Sequence, residues 1–131
     1  MTKTRAALLI VFLLVPLSAF AQGQRSVRAE ANRNWQGFWT KFSRAMKQRD
    51  HEALKSMVSD DFFDGGGGGT AADYIKEIDL AKSWRAHQRS VALGTRPYRY
   101  RGRPARVTKN DHLFFEFGKD GQWRWAGMVG D

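Results

Sequence analysis

The chain contains no cysteine. Many small exported domains lean on disulfides, and this one must rely on its hydrophobic core instead. The same absence rules out a lipid-modified cysteine, so a soluble product is expected. There is no Asn-x-Ser/Thr sequon, which suits a bacterial periplasmic or secreted protein. No apolar run is long enough to anchor in a bilayer. The longest, Ala6 to Val15, falls well short of the roughly 20 residues a spanning helix takes. Carboxylates are missing from one whole stretch: between Asp79 and Asp111 lie nine basic residues and no acidic one.

What is present begins with an export signal. Lys3 and Arg5 precede the apolar run, and Ala19-Phe20-Ala21 supplies a small-x-small cleavage site. Residues 1–21 therefore read as a signal peptide, and periplasmic or secreted localisation follows. The chain from Gln22 onward has the length of a single domain. It carries 20 Lys/Arg against 13 Asp/Glu. The excess belongs to the acid-free stretch, since the rest of that region holds 11 basic and 13 acidic residues. So uneven a distribution points to an anionic partner. Five tryptophans, nine phenylalanines and three tyrosines, two of the phenylalanines in the signal peptide, provide ample core surface.

Residues 22–31 are polar and aperiodic and read as a flexible leader. Trp35, Phe38, Trp39, Phe42, Ala45 and Met46 then recur at helical spacing, with Asn32 or Asn34 as the expected N-cap. Asp50 caps a short helix bearing Ala53, Leu54, Met57 and Val58, and Phe62-Phe63 follows as a strand or core-plugging turn. The five-glycine run Gly65 to Gly69 reads as a loop. Thr70 to Asp73 forms a capping-box start to another helix with Tyr74, Ile75 and Ile78. Leu80, Trp84, Gln88 and Val91 continue that helix or form a separate one, and Gly94 and Pro97 stop it. The period then changes to two. Lys119-Asp120-Gly121 suits a three-residue hairpin loop, which places Phe117 opposite Trp123 and Phe115 opposite Trp125 on one aromatic face. Helices first and an antiparallel meander last make an α+β domain over residues 32–131.

The order of Phe38-Trp39-Thr40-Lys41-Phe42, Lys47 to Leu54 and Val58 to Phe63 resembles the NTF2-like (SnoaL-like) superfamily. The ending Phe115-Glu116-Phe117, Asp120 to Trp123 and Met128 to Asp131 resembles that family's final hairpin. The resemblance implies N-terminal helices packed on a curved antiparallel sheet that forms a cone around an apolar pocket. The stretch from Phe63 to Arg106 offers more helix than the family has there, so a reduced sheet is expected. The family includes isomerases, dehydratases, epoxide hydrolases and non-enzymatic domains, so fold alone does not assign function. No family catalytic residue aligns onto a position of this chain.

Three functional readings follow. The first is a binding domain for a small apolar or amphipathic ligand in the cone, lined by Trp39, Phe42, Phe63, Trp84, Phe115 and Trp125. The second is a polyanion- or envelope-surface-binding module using the basic segment 82–109, with Arg96, Arg99, Arg101, Arg103, Arg106 and Lys109 as anion ligands. There Tyr98 and Tyr100 would face one way and Arg99, Arg101 and Arg103 the other. Nucleic acid is the weaker partner, because an exported protein rarely meets it. The third is a lyase- or isomerase-type enzyme, which needs an ionisable group inside the cone. His51 reads as solvated, and His87 lies among arginines whose charge would lower its pKa. His112 stands beside Asp111, but neighbours on a strand point to opposite faces. No cofactor is indicated: Asp60, Asp61 and Asp64 lack the spacing of a calcium loop, Gly69-Thr70 lacks a P-loop lysine, and no metal-ligand pattern appears.

Overall fold

A computed structural model describes residues 17–64, 66 and 69–129. Residues 1–16, three glycines of the run (Gly65, Gly67, Gly68), and Gly130 and Asp131 lie outside the described residues. The chain forms α1 (Leu17–Gln48), α2 (His51–Ser56), β1 (Val58–Phe63), α3 (Ala71–Leu80), α4 (Trp84–Ala92), β2 (Thr95–Tyr100), β3 (Arg103–Thr108), β4 (Leu113–Phe117) and β5 (Trp123–Met128). It is an α+β fold, with helices packed on one five-stranded sheet of order β1-β5-β4-β3-β2. β2 through β5 pair antiparallel, and β1 adds to β5 in parallel, which makes the sheet mixed.

The leader reading is corrected: residues 22–31 belong to α1. The segment is rich in Ala, Gln, Glu and Arg, good helix formers that let the helix run on. Tertiary contacts hold its last turn. Ala31 is fully buried, and its carbonyl accepts the Trp123 indole N–H at 2.7 Å. Asn32 and Asn34 are therefore mid-helix residues rather than caps, and Asn34 donates instead to the Gly121 carbonyl at 3.4 Å. α1 ends with Arg49 in the left-handed region, where the Arg49 and Asp50 amides return to the carbonyls of Met46 and Ala45. Asp50 then caps α2 by accepting the Ala53 amide at 3.1 Å. The Thr70–Asp73 capping box forms, and α3 and α4 are separate helices.

The final hairpin takes the expected register, Phe117 opposite Trp123 and Phe115 opposite Trp125. Gly121, at a φ of 76°, closes its loop. The resulting aromatic face receives α1. The Phe115 ring lies 4.9 Å from Phe42, 5.6 Å from Trp35 and Trp39 and 5.8 Å from Phe38. Such ring pairs contribute about 0.5–1.5 kcal/mol each beyond their burial. Leu54 of α2, Ile75 and Ile78 of α3 and Trp84 of α4 join the same cluster.

The opposite face of the sheet is different. Its apolar cluster of Val107, Phe114 and Ala126, with Tyr100 packed against it, draws on strands alone. The edges of the sheet reach towards each other across this open face. The Tyr100 ring packs against Phe114 at a tilt of 56°, 5.3 Å away. Arg101, in the β2–β3 turn, pairs with Asp61 of β1 at 2.7 Å, although β1 and β2 are opposite edge strands.

Candidate functional site

The aromatic residues expected to line a pocket are brought together only in part. Trp39, Phe42, Phe115 and Trp125 pack ring against ring between α1 and the sheet. Trp84 is buried beneath α4, where its indole donates to Asp79 at 2.5 Å and its ring stacks on His51. Phe63 is corrected outright. Alternation along β1 sends Phe62 into the core and leaves Phe63 exposed. Two surface clefts among the described residues are lined by other side chains.

The basic segment is dispersed by its own register. Arg96 lies opposite Val107 and Tyr98 opposite Ala105, on the open face, whereas Arg99 and Arg106 face the helices. Arg106 lies 4.9 Å over the Trp35 ring and donates to Thr95 at 2.9 Å, and burial pulls its pKa down. Arg96 pairs with Asp111, and Arg101 with Asp61 while lying over Tyr100. The expected division, aromatics one way and guanidiniums the other, thus holds for Tyr98, Tyr100 and Arg99. It fails at Arg103, which lies opposite Tyr100 and shares the tyrosines' face, and at Arg101, which turns onto one of them. Lys109 follows β3, its amide bonded to the Gly94 carbonyl. Charge and Pro97 on β2 also serve the fold, because they keep an edge strand from pairing with another chain.

A larger cationic surface lies on the helices. α1 buries Ala31, Trp35, Phe42, Ala45 and Met46 and exposes Arg33, Lys41, Arg44 and Lys47. No acidic residue occurs from Ala31 to Arg49. Gln88 of α4 donates to the carbonyls of Met46 and Lys47 at 3.2 and 3.4 Å. That seam sets α4, with Arg85 and Arg89 exposed, beside the end of α1. Among the described residues no carboxylate lies within ion-pair distance of these six cations. The acid-free run of α1 was open to inspection in the sequence, hidden only because its aromatic spacing drew the reading inward.

The histidines enter real contacts. His51 is not simply solvated: its Nε2 lies 2.9 Å from Asp79, at a cleft of about 330 Å³ that Lys55, Asp73 and Lys76 also line. Thr70, through its amide and hydroxyl, lowers the Asp73 pKa. His87 is buried, with Nδ1 2.9 Å from the Ser83 carbonyl and Nε2 2.5 Å from the Tyr74 hydroxyl. Nδ1 carries the proton and Nε2 accepts from Tyr74, since a carbonyl can only accept. Burial, not neighbouring arginines, lowers the His87 pKa first, with His112 a smaller cause, and burial raises that of Tyr74. The His112 ring lies 4.9 Å from that of His87, and the Ser90 hydroxyl meets His112 Nδ1 at 3.3 Å and accepts from Asn110 at 2.9 Å. Among the described residues no group of three or more His, Asp or Glu side chains is placed to hold a metal ion.

One group in the open face went unread in the sequence. Glu116 is the single charge in the otherwise apolar strand Leu113–Phe117, and alternation turns it away from the aromatic core. It is 6 % exposed, and its Oε2 has no hydrogen-bond partner among the described residues. Its cross-strand neighbours are Ala105 and Arg124. Arg124 is committed to Asp120, with bonds of 2.9 and 2.5 Å that pull the Asp120 pKa down to about 2. Glu116 lines a cleft of about 300 Å³ with Ser59, Asp60, Asp61, Arg103, Lys119 and the Arg124–Asp120 pair.

No protein-family model, curated protein or solved structure matches this chain. Among the described residues no helix is long and apolar enough to cross a membrane.

Proposed function

We propose that this chain is an exported binding module of NTF2-like type that engages an anionic polymer of the cell envelope through the joined outer surfaces of α1 and α4. The observation that carries the reading is the set Arg33, Lys41, Arg44, Lys47, Arg85 and Arg89, exposed and without a carboxylate in ion-pair distance among the described residues. Like charges held side by side repel, so their field is open to a partner of opposite sign. A polymer is favoured over a lipid bilayer because the exposed side of α1 between Arg33 and Lys47 offers only polar residues and glycine, with no apolar side chain to insert. The succession of a long helix, a short helix, a first strand and a closing aromatic hairpin supports the NTF2-like part of the reading.

The interior supports binding less well. Trp39, Phe42, Phe115 and Trp125 already satisfy one another. An isomerase or lyase would draw on Tyr74 and His87 as its acid–base pair, and neither lines either cleft.

Retention on immobilised heparin tests the proposal. The protein is expected to hold beyond about 0.3 M salt, with steep salt dependence because screening weakens surface attraction. Changing Lys47, Arg85 and Arg89 together to serine is expected to bring elution to markedly lower salt. The same change at Arg96, Arg99 and Arg101 is expected to do less. Equal effects would return the site to the strand segment, and no retention of the parent protein would end the reading. Binding to anionic vesicles without heparin retention would replace the polymer by a lipid surface.

A further inference from the structure

We infer that the open face of the sheet holds a second site, a cleft for a small zwitterion of amino-acid size, with the ligand's ammonium seated on Glu116 and its carboxylate on Arg103 and Lys119. The inference is independent of the polyanion reading, because none of these residues belongs to the α1–α4 surface.

The argument starts from the floor. β4 carries Glu116 in the middle of the sheet, between Ala105 on β3 and Arg124 on β5. Arg124 has turned to Asp120, and Glu116 is among the residues that line the depression beside them. A buried carboxylate oxygen with no donor is unfavourable unless something supplies one. Here the side chain is more than nine-tenths buried, its Oε2 is unpartnered, and it lines the cleft.

The walls set the ligand's other end. Of the charged groups around the cleft, Asp61 is held by Arg101, and Asp120 by Arg124. Glu116, Asp60, Arg103 and Lys119 have no ion pair among the described residues. Arg103 is half-buried, while Asp60 and Lys119 are exposed. Continuing the β3–β4 register by two residues sets Arg103 beside Gly118, one step up the wall from Glu116 and next to Lys119. The unpaired charges are therefore the Glu116 carboxylate at the floor and, above it, Arg103 and Lys119 as cations with Asp60 as a further anion. A lone cation would leave Arg103 and Lys119 unanswered, and a lone anion would meet Glu116. A molecule carrying both charges a few ångströms apart answers each, and about 300 Å³ suits one of that size.

The test uses the full chain and three sets of probes: the free L-amino acids, their N-acetyl forms as anions only, and their methyl esters as cations only. Binding is read by calorimetry and by amide chemical shifts of Glu116, Gly118 and Lys119. At least one free amino acid is expected to bind at or below the millimolar range, with both blocked forms roughly tenfold weaker or more. Glu116→Gln and Arg103→Ala are each expected to weaken binding by roughly tenfold or more. Chemical-shift dispersion of the rest of the spectrum checks that each variant is folded. Ordered variants that bind as the parent does would overturn the site. Esters that bind as well as free amino acids would reduce it to a cation site, and N-acetyl forms that do so would reduce it to an anion site; either result overturns the zwitterion. No binding of any probe at about 10 mM overturns it entirely.

Discussion

The two faces of one sheet are built from alternate residues of the same strands, and they solve opposite problems. On the face towards the helices, Phe115, Phe117, Trp123 and Trp125 meet rings and aliphatic groups from all four helices. On the open face, the same β4 and β5 present Phe114, Glu116, Arg124 and Ala126, and among the described residues the apolar cluster there draws on strands alone. Stability concentrates on the first face, and unspent charge is left on the second. The contrast teaches where to seek function in a small domain without cysteine: the interior of its well-packed layer is needed to hold the fold, so sites are left to the outer surfaces of the helices and to the other face of the sheet.

If that division is real, the two faces must respond oppositely to substitution. Phe115→Ala empties the centre of the covered face, where four α1 rings converge. A loss of about 4 kcal/mol is expected in chemical denaturation. A cost below about 1 kcal/mol would mean that the face collapses freely and is not the stabilising layer. Gly127→Ala probes where the faces are coupled. Gly127 has a φ of 153°, and an added Cβ would stand 2.2 Å from the Phe63 carbonyl oxygen. β1 would have to part from β5, at a cost of about 3 kcal/mol. Since Asp61 and Ser59 ride on β1, the open-face cleft should widen and Arg101 lose its partner. Retention of wild-type stability would show that the parallel strand contributes little.

Much of this contrast was legible in the sequence, and the illegible part has a physical reason. The period-two pattern of Leu113, Phe115 and Phe117, with a loop ending in Gly121, was enough to set the hairpin register. The α1 periodicity likewise set its buried stripe. These are local signals, repeated over several residues. The extension of α1 through residues 22–31 was only half legible: its helix-forming composition is local, but its last turn is anchored by the Trp123 indole on the Ala31 carbonyl, 92 residues along the chain. Phe63 was misassigned because two adjacent phenylalanines carry no sign of which faces inward. The basic segment reads as a block in one dimension, but pairing with β3 divides its arginines between both faces. Glu116 was hidden by its surroundings, a single charge in an apolar strand, where attention goes to the aromatics.

Glu116→Gln reverses the sense of the first two experiments. The change removes a buried charge whose Oε2 has no partner, and it also removes attraction to Arg124. The two contributions oppose, so the net change in stability is expected within about 1 kcal/mol. A loss above about 2 kcal/mol would show that the carboxylate is a structural group already satisfied, and would dissolve the distinction between the faces.

The smallest effect tests the rim of the same cleft. Arg124 grips Asp120 through two hydrogen bonds, and the Asp120 pKa falls from the ordinary carboxylate value to about 2. A carboxylate whose folded pKa is depressed contributes stability that is complete above its unfolded pKa and fades as pH drops towards its folded one. The window is therefore from about pH 4 down to about pH 2. Asp120 is exposed, so solvent screens the pair and the contribution is small. Melting temperatures of the parent chain and Asp120→Asn, followed from about pH 6 to about pH 2, should differ by a constant amount above the window and converge within it. A difference that persists at the acid end would mean that Asp120 acts through the shape of the hairpin loop, and that Arg124 is free to turn back to Glu116.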